Sequence, residues 1–121
     1  MAERAQDRCE YCGKTQISFF PHEVDHVLAQ KHGGQTTLEN LALACFECNR
    51  YKGSDVASFD PHTGQLTPLF NPRQQKWDEH FRDEEGVIVP LTPEGRVTVM
   101  LLRLNEPTRV TERIALRAAG R

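Results

Sequence analysis

Two Cys-x-x-Cys pairs, Cys9/Cys12 and Cys45/Cys48, contain all four cysteines of the chain. Each pair can wrap one edge of a tetrahedral ion, so one zinc held by all four would tie the start of the chain to its middle. Two disulfides are the alternative in a short secreted protein. The sequence has no charged-then-apolar leader and no run of 18 apolar residues. That sets the expectation of a cytoplasmic chain without a membrane span, and it favours zinc over disulfides. A redox pair or unlinked reduced thiols are the plainer readings.

A chain of 121 residues fits a single domain. With 38% apolar and 26% charged residues it reads as hydrophilic and globular, and its N-terminal half looks too polar to bury a core unaided. The net charge of −2 is not the basic footprint of a nucleic-acid binder. The distribution is uneven: six arginines face three glutamates from residue 86 onward, whereas residues 78 to 85 hold five acids and one arginine. One basic face is therefore compatible with an acidic total.

Along the chain, residues 1–8 form a charged lead-in, and Cys9-Glu-Tyr-Cys12-Gly13 reads as a metal-binding knuckle whose glycine permits a positive φ. Residues 20–29 read as a strand, Gly33-Gly34 as a loop, and Leu41–Ala44 as a strand or a helical turn. A helix is expected over 45–57, which gives a ββα unit. Beyond it, Pro61, Thr63-Gly64 and Pro68 indicate a loop. Pro72 to Phe81 carries a helix-start signal, with Trp77 and Phe81 one turn apart for packing. A short strand is expected over 86–89. Thr92-Pro93-Glu94 resembles an N-cap, so 93–104 reads as helical against the β preference of Val97-Thr98-Val99. Residues 107–119 read as a last helix.

The ordered set Glu23-Val-Asp25-His26, Gly33-Gly34, Glu39-Asn40-Leu and Cys45-x-x-Cys48-Asn49-x-x-Lys52-Gly53 resembles the HNH nuclease family over residues 9 to about 55. The resemblance implies that His26 is a general base, Asp25 a metal ligand, Asn49 the second ligand from the helix, and Asn40 a support for the catalytic loop. The chemistry is coherent on its own terms. Hydrolysis of a phosphodiester needs a proton acceptor for water, which imidazole supplies near neutral pH. It also needs charge stabilisation on the phosphoryl group, which a cation on hard oxygen ligands supplies. Aspartate and asparagine oxygens suit Mg²⁺ or Mn²⁺. Strand neighbours point to opposite faces, so His26 is not expected to ligate the ion held by Asp25.

Each residue also has a plainer reading. Asp25-His26 would be a strand end with an incidental salt bridge, and Asn49 a helix-surface amide. Arg50, Lys52 and Arg73 are candidate phosphate contacts or solvated cations, and His22 a bystander on the strand face of His26. Trp77 and Phe81 read as packing residues, and His80 as a buttress or a helix cap. Arg109, Arg113, Arg117 and Arg121 recur every fourth residue. They would form either a basic stripe along a phosphate backbone or a solvated face paired with Glu106 and Glu112.

The resulting expectation is an α+β chain: a zinc-clasped ββα-metal core over residues 1–57 and a mixed, mostly helical extension over 58–121 packed on it. The expected function is metal-dependent hydrolysis of DNA phosphodiester bonds, with structural Zn²⁺, catalytic Mg²⁺ or Mn²⁺, and no small-molecule ligand. The alternatives are a non-catalytic zinc module that binds nucleic acid or protein, and an RNase using the same site.

Overall fold

The computed structural model describes residues 2–16 and 21–120. Its element order is α1 (Ala2–Ala5), β1 (Glu23–His26), β2 (Leu41–Ala44), α2 (Phe46–Lys52), β3 (Ala57–Phe59), β4 (Leu66–Pro68), α3 (Trp77–His80), β5 (Phe81–Glu84), β6 (Val87–Pro90), α4 (Pro93–Leu101) and α5 (Pro107–Ala118). The strands form three separate antiparallel hairpins, β1-β2, β3-β4 and β5-β6. The class is α+β, as expected.

The ββα unit begins with β1 against β2, in a register that sets Glu23 opposite Ala44 and Asp25 opposite Ala42. Its first strand is shorter than expected: residues 21–22 lie outside it, and Phe20 falls outside the described residues. Two 3-10 turns, Gln30–His32 and Leu38–Asn40, fold the connecting loop. Gly34 is needed there because a Cβ would lie 1.7 Å from the Leu28 carbonyl oxygen. Cys45 caps α2, its sulfur accepting from the Cys48 backbone N–H at 3.5 Å. Glu47 in the first turn and Arg50 and Lys52 in the last complement the helix dipole. The helix stops at Gly53, short of the expected residue 57.

The second half departs further from the sequence reading. The stretch around Pro61 to Pro68 is not plain loop but the β3-β4 hairpin, with β3 running across residues 57 and 58. Its connection is organised by Asp60, which accepts from the His62 backbone N–H and the Thr63 hydroxyl at 3.0 and 3.1 Å. The expected helix from Pro72 shrinks to Trp77–His80 because the Asn71 side chain accepts from the Arg73 N–H at 2.9 Å and holds a turn instead. β5 was not foreseen; it pairs with β6 through Glu85 and Gly86, at φ 51° and 91°. α4 forms despite its β-branched run. Val97 and Thr98 are fully buried, and the Thr98 hydroxyl donates to the Glu94 carbonyl at 2.7 Å while accepting from the Phe70 N–H at 2.8 Å.

One core runs through both halves. Cys9, Tyr11, Cys12, Ala42, Ala44, Cys45 and Cys48 cluster with Leu69, Phe70, Phe81, Ile88, Val97, Leu102 and Leu104. The polar N-terminal half thus borrows its apolar partners from the extension. Trp77 joins them directly: its indole N–H donates to the Tyr11 carbonyl at 2.8 Å, and its ring packs on Phe81 at 5.0 Å between centroids.

Candidate functional site

The four cysteine sulfurs lie within 4.8 Å of one another, all buried. Cys12 Sγ and Cys45 Sγ are 3.7 Å apart, close to the roughly 3.8 Å edge of a tetrahedron with Zn–S bonds of about 2.3 Å. The Cys12 and Cys48 backbone N–H groups each donate to the first sulfur of their pair at 3.5 Å. Gly13 takes the positive φ, 79°, that closes the first knuckle. Without a cation the four thiols cannot all ionise. Burial pushes the Cys9 and Cys48 thiols well up, whereas hydrogen bonds from Cys45, Cys48 and Cys9 hold the Cys12 thiol well below its ordinary range. A metal ion resolves that conflict by taking all four as thiolates. The donor set, the spacing and the burial fit a metal centre.

The second cluster is built where α2 crosses β1. Glu23 and Asp25 alternate onto the face covered by the helix, and Asn49 and Lys52, one turn apart, meet them. The Asn49 amide donates to Glu23 Oε2. Lys52 Nζ lies 3.2 Å from Asp25 Oδ2 and donates to the His26 carbonyl at 3.1 Å. Tyr11 donates its hydroxyl to Asp25 at 2.7 Å. Burial pushes the Tyr11 phenol well up and the neighbouring Asp25 charge adds to this, so Tyr11 stays a donor. Asp25 and Lys52 are 5% and 2% exposed, a buried and mutually neutralising pair.

His26, the next residue on the strand, points the other way. Its ring Nε2 is 3.0 Å from Thr36 Oγ1. The loop carrying Thr36 is held by Asn40, whose side-chain oxygen accepts from the Leu28 N–H at 2.8 Å. Its amide nitrogen donates to the Leu28 and Gln35 carbonyls at 3.0 and 2.8 Å. A cleft of about 530 Å³ opens beside this loop, with Leu28, Asn40, Lys52, Asp55, Phe70 and Gln75 among its walls.

Asp25, His26 and Asn40 thus lie toward one end of the β1-β2 hairpin, whereas Asn49 meets Glu23, which pairs with Ala44 at the other end. Arg50 is exposed on α2. Lys52 is instead committed to Asp25, and Arg73 pairs with Glu10 in a part-buried contact. His22 lies outside β1, its ring 2.9 Å from the Lys14 carbonyl oxygen. His80 sits 2.6 Å from the hydroxyl of Thr92, the cap of α4. The arginine series on α5 is neither a phosphate-tracking stripe nor a solvated face. Arg109 and Arg113 are buried and Arg117 pairs with Asp83; Arg121 lies outside the described residues. Tyr11, Glu23 and Thr36 were missed as partners of the site. Only Glu23 had a legible signal, its position two residues before Asp25 on a strand.

Residues 9–55 match the family model described as HNH endonuclease. No curated protein and no solved structure matches the chain. No helix among the described residues is long and apolar enough to cross a membrane.

Proposed function

With residues 9–55 matching the HNH endonuclease model, we propose that the protein is a metal-dependent endonuclease that hydrolyses DNA phosphodiester bonds. The observation that carries this reading is the division of labour across β1. Asp25 and Glu23 lie toward the helix, against Lys52 and Asn49 respectively, while His26 projects from the opposite face with its ring anchored on Thr36. That is the arrangement a base and a separate oxygen-ligand set need.

In this account Asp25 and Asn49 hold Mg²⁺ or Mn²⁺, with the Glu23 carboxylate beside Asn49 as a further oxygen donor. When bound, the ion supplies charge stabilisation for the phosphoryl oxygens and the departing 3′ oxygen. His26 accepts the proton of the attacking water, and Thr36 fixes the ring nitrogen that it contacts so that the other can serve as base. Asn40 supports His26 indirectly by locking Leu28 and Gln35. Arg50 is the phosphate contact that this arrangement leaves open. Zn²⁺ at Cys9, Cys12, Cys45 and Cys48 is structural: it fixes the start of α2, and hence Asn49, against β1. A single such site cuts one strand, so a monomer nicks and leaves 5′-phosphate and 3′-hydroxyl ends.

A second reading, a non-catalytic zinc module that binds nucleic acid, draws on one observation: Asp25 is closed off by Lys52 and Tyr11. A hard cation has to compete with the Lys52 ammonium for that carboxylate. Incubation of the protein with supercoiled plasmid, or with a labelled RNA, in Mg²⁺ or Mn²⁺ separates the readings. Nicking of DNA that His26→Ala abolishes supports the endonuclease. Binding without cleavage under any divalent ion supports the module, and cleavage of RNA alone points to an RNase.

A further inference from the structure

Arg109 is 5% exposed and sits on α5, far in sequence from the cysteines. Its guanidinium is used on two edges. Nη1 donates to the Leu102 and Arg103 carbonyls at 2.6 and 3.1 Å, at the end of α4. Nη2 donates to Cys48 Sγ at 3.0 Å and approaches Cys45 Sγ at 3.6 Å. No carboxylate pairs with Arg109 among the described residues. The negative charge that compensates this buried cation therefore comes from the cysteine sulfurs. Four thiolates around a divalent ion carry a net charge of about −2, so a guanidinium against two of the sulfurs offsets half of it.

Arg113, one turn on, supplies the contrast. It is equally buried, yet it donates to the Gly86 and Leu104 carbonyls and approaches the Asn105 side chain, touching no sulfur. The two arginines share a helix, a burial state and a habit of binding carbonyls. They differ in the metal centre.

We propose that Arg109 is the outer-sphere partner of the four-cysteine metal centre. Through it the bound metal holds α5 and the end of α4 in place, and α5 in turn raises the affinity for the metal. Coupling of this kind is reciprocal: whatever Arg109 adds to metal affinity, the metal adds to the docking of α5. A guanidinium suits the role where an ammonium does not, because its planar fork reaches carbonyls and sulfurs at once.

The test uses the whole 121-residue chain, zinc-loaded and at fixed pH, with zinc affinity measured by competition against a chromophoric chelator. Arg109→Gln is expected to weaken zinc binding about 10–100-fold. Arg113→Gln is expected to lower thermal stability while holding zinc within about threefold of wild type. Wild-type zinc affinity in Arg109→Gln, or equal weakening in both variants, overturns the proposal. Amide hydrogen exchange on the wild type decides the matter independently should Arg109→Gln not fold. Zinc removal is expected to speed exchange in residues 107–118 well before that in the β5-β6 hairpin. Exchange in α5 that is indifferent to zinc, or a folded protein that binds none, contradicts the proposal.

Discussion

At the residue scale the most informative pair is Asp25 and Lys52. Each is nearly inaccessible, and each supplies the charge that the other needs. Removing one partner leaves an uncompensated buried ion, so Lys52→Met should lower the unfolding free energy by about 3–5 kcal/mol, measured by urea denaturation. A loss below about 1 kcal/mol would show that the pair is not buried as described. Much of the site was legible in single residues. Asp25, His26 and Asn49 carry donor chemistry in their types, and strand alternation separates His26 from Asp25 without any coordinates. What could not be read was which cation is spoken for. Lys52 and Arg73 look alike as exposed phosphate contacts in a sequence, and only packing reveals their commitments to Asp25 and Glu10.

At the element scale, the β3-β4 hairpin is joined to α4 by a bidentate contact. Arg96 Nε and Nη2 donate to the two Asp60 oxygens at 2.9 and 2.8 Å. Arg96 holds the Asp60 carboxyl well below the usual carboxylate range. A depressed carboxyl contributes stability that is present above its unfolded value, near 4, and lost as pH falls toward its folded one. Asp60→Asn should therefore reduce Tm at pH 7 and flatten its fall below about pH 4. An unchanged acid profile would remove Asp60 as its source. The ββα elements were readable because glycines and cysteines punctuate them. The β3-β4 and β5-β6 hairpins were not. Proline, threonine and glycine around residues 61 to 68 say turn without saying strand. The β5-β6 turn uses Glu85 at positive φ, a position where asparagine or aspartate before glycine is the usual signal. Burial of Val97 and Thr98 against the core overrode their local preference and kept α4 helical.

At the scale of the whole molecule, one core and the engagement of the buried arginines define the described residues. The four-cysteine clasp is not a separate module, since its cysteines pack with Phe70, Phe81 and Leu104 from the extension. That continuity was foreshadowed by the polarity of the N-terminal half, but its partners could not be named from the pattern alone. The charge ledger changes as well. Arg109, Arg113 and Arg117, three members of the four-arginine series read from the sequence, are engaged by the cysteine sulfurs, backbone carbonyls and Asp83. Arg50 and Lys31 remain exposed within the HNH-matching segment. DNA affinity should therefore be weak and fall gently with salt, with a log–log slope of about −2 for two phosphate contacts. A filter-binding or anisotropy titration giving a slope steeper than about −4 would mean that a larger basic surface is in use.

The central claim, that His26 is the base of a divalent-metal nuclease centre distinct from the cysteine cluster, is tested most directly by plasmid nicking in Mg²⁺ or Mn²⁺. Zinc content is measured on the same samples. Wild type should convert supercoiled to open-circular DNA. His26→Ala should lose at least about 100-fold of that rate while keeping its zinc and its thermal unfolding. Equal nicking by the two proteins, at equal zinc content, would contradict the account.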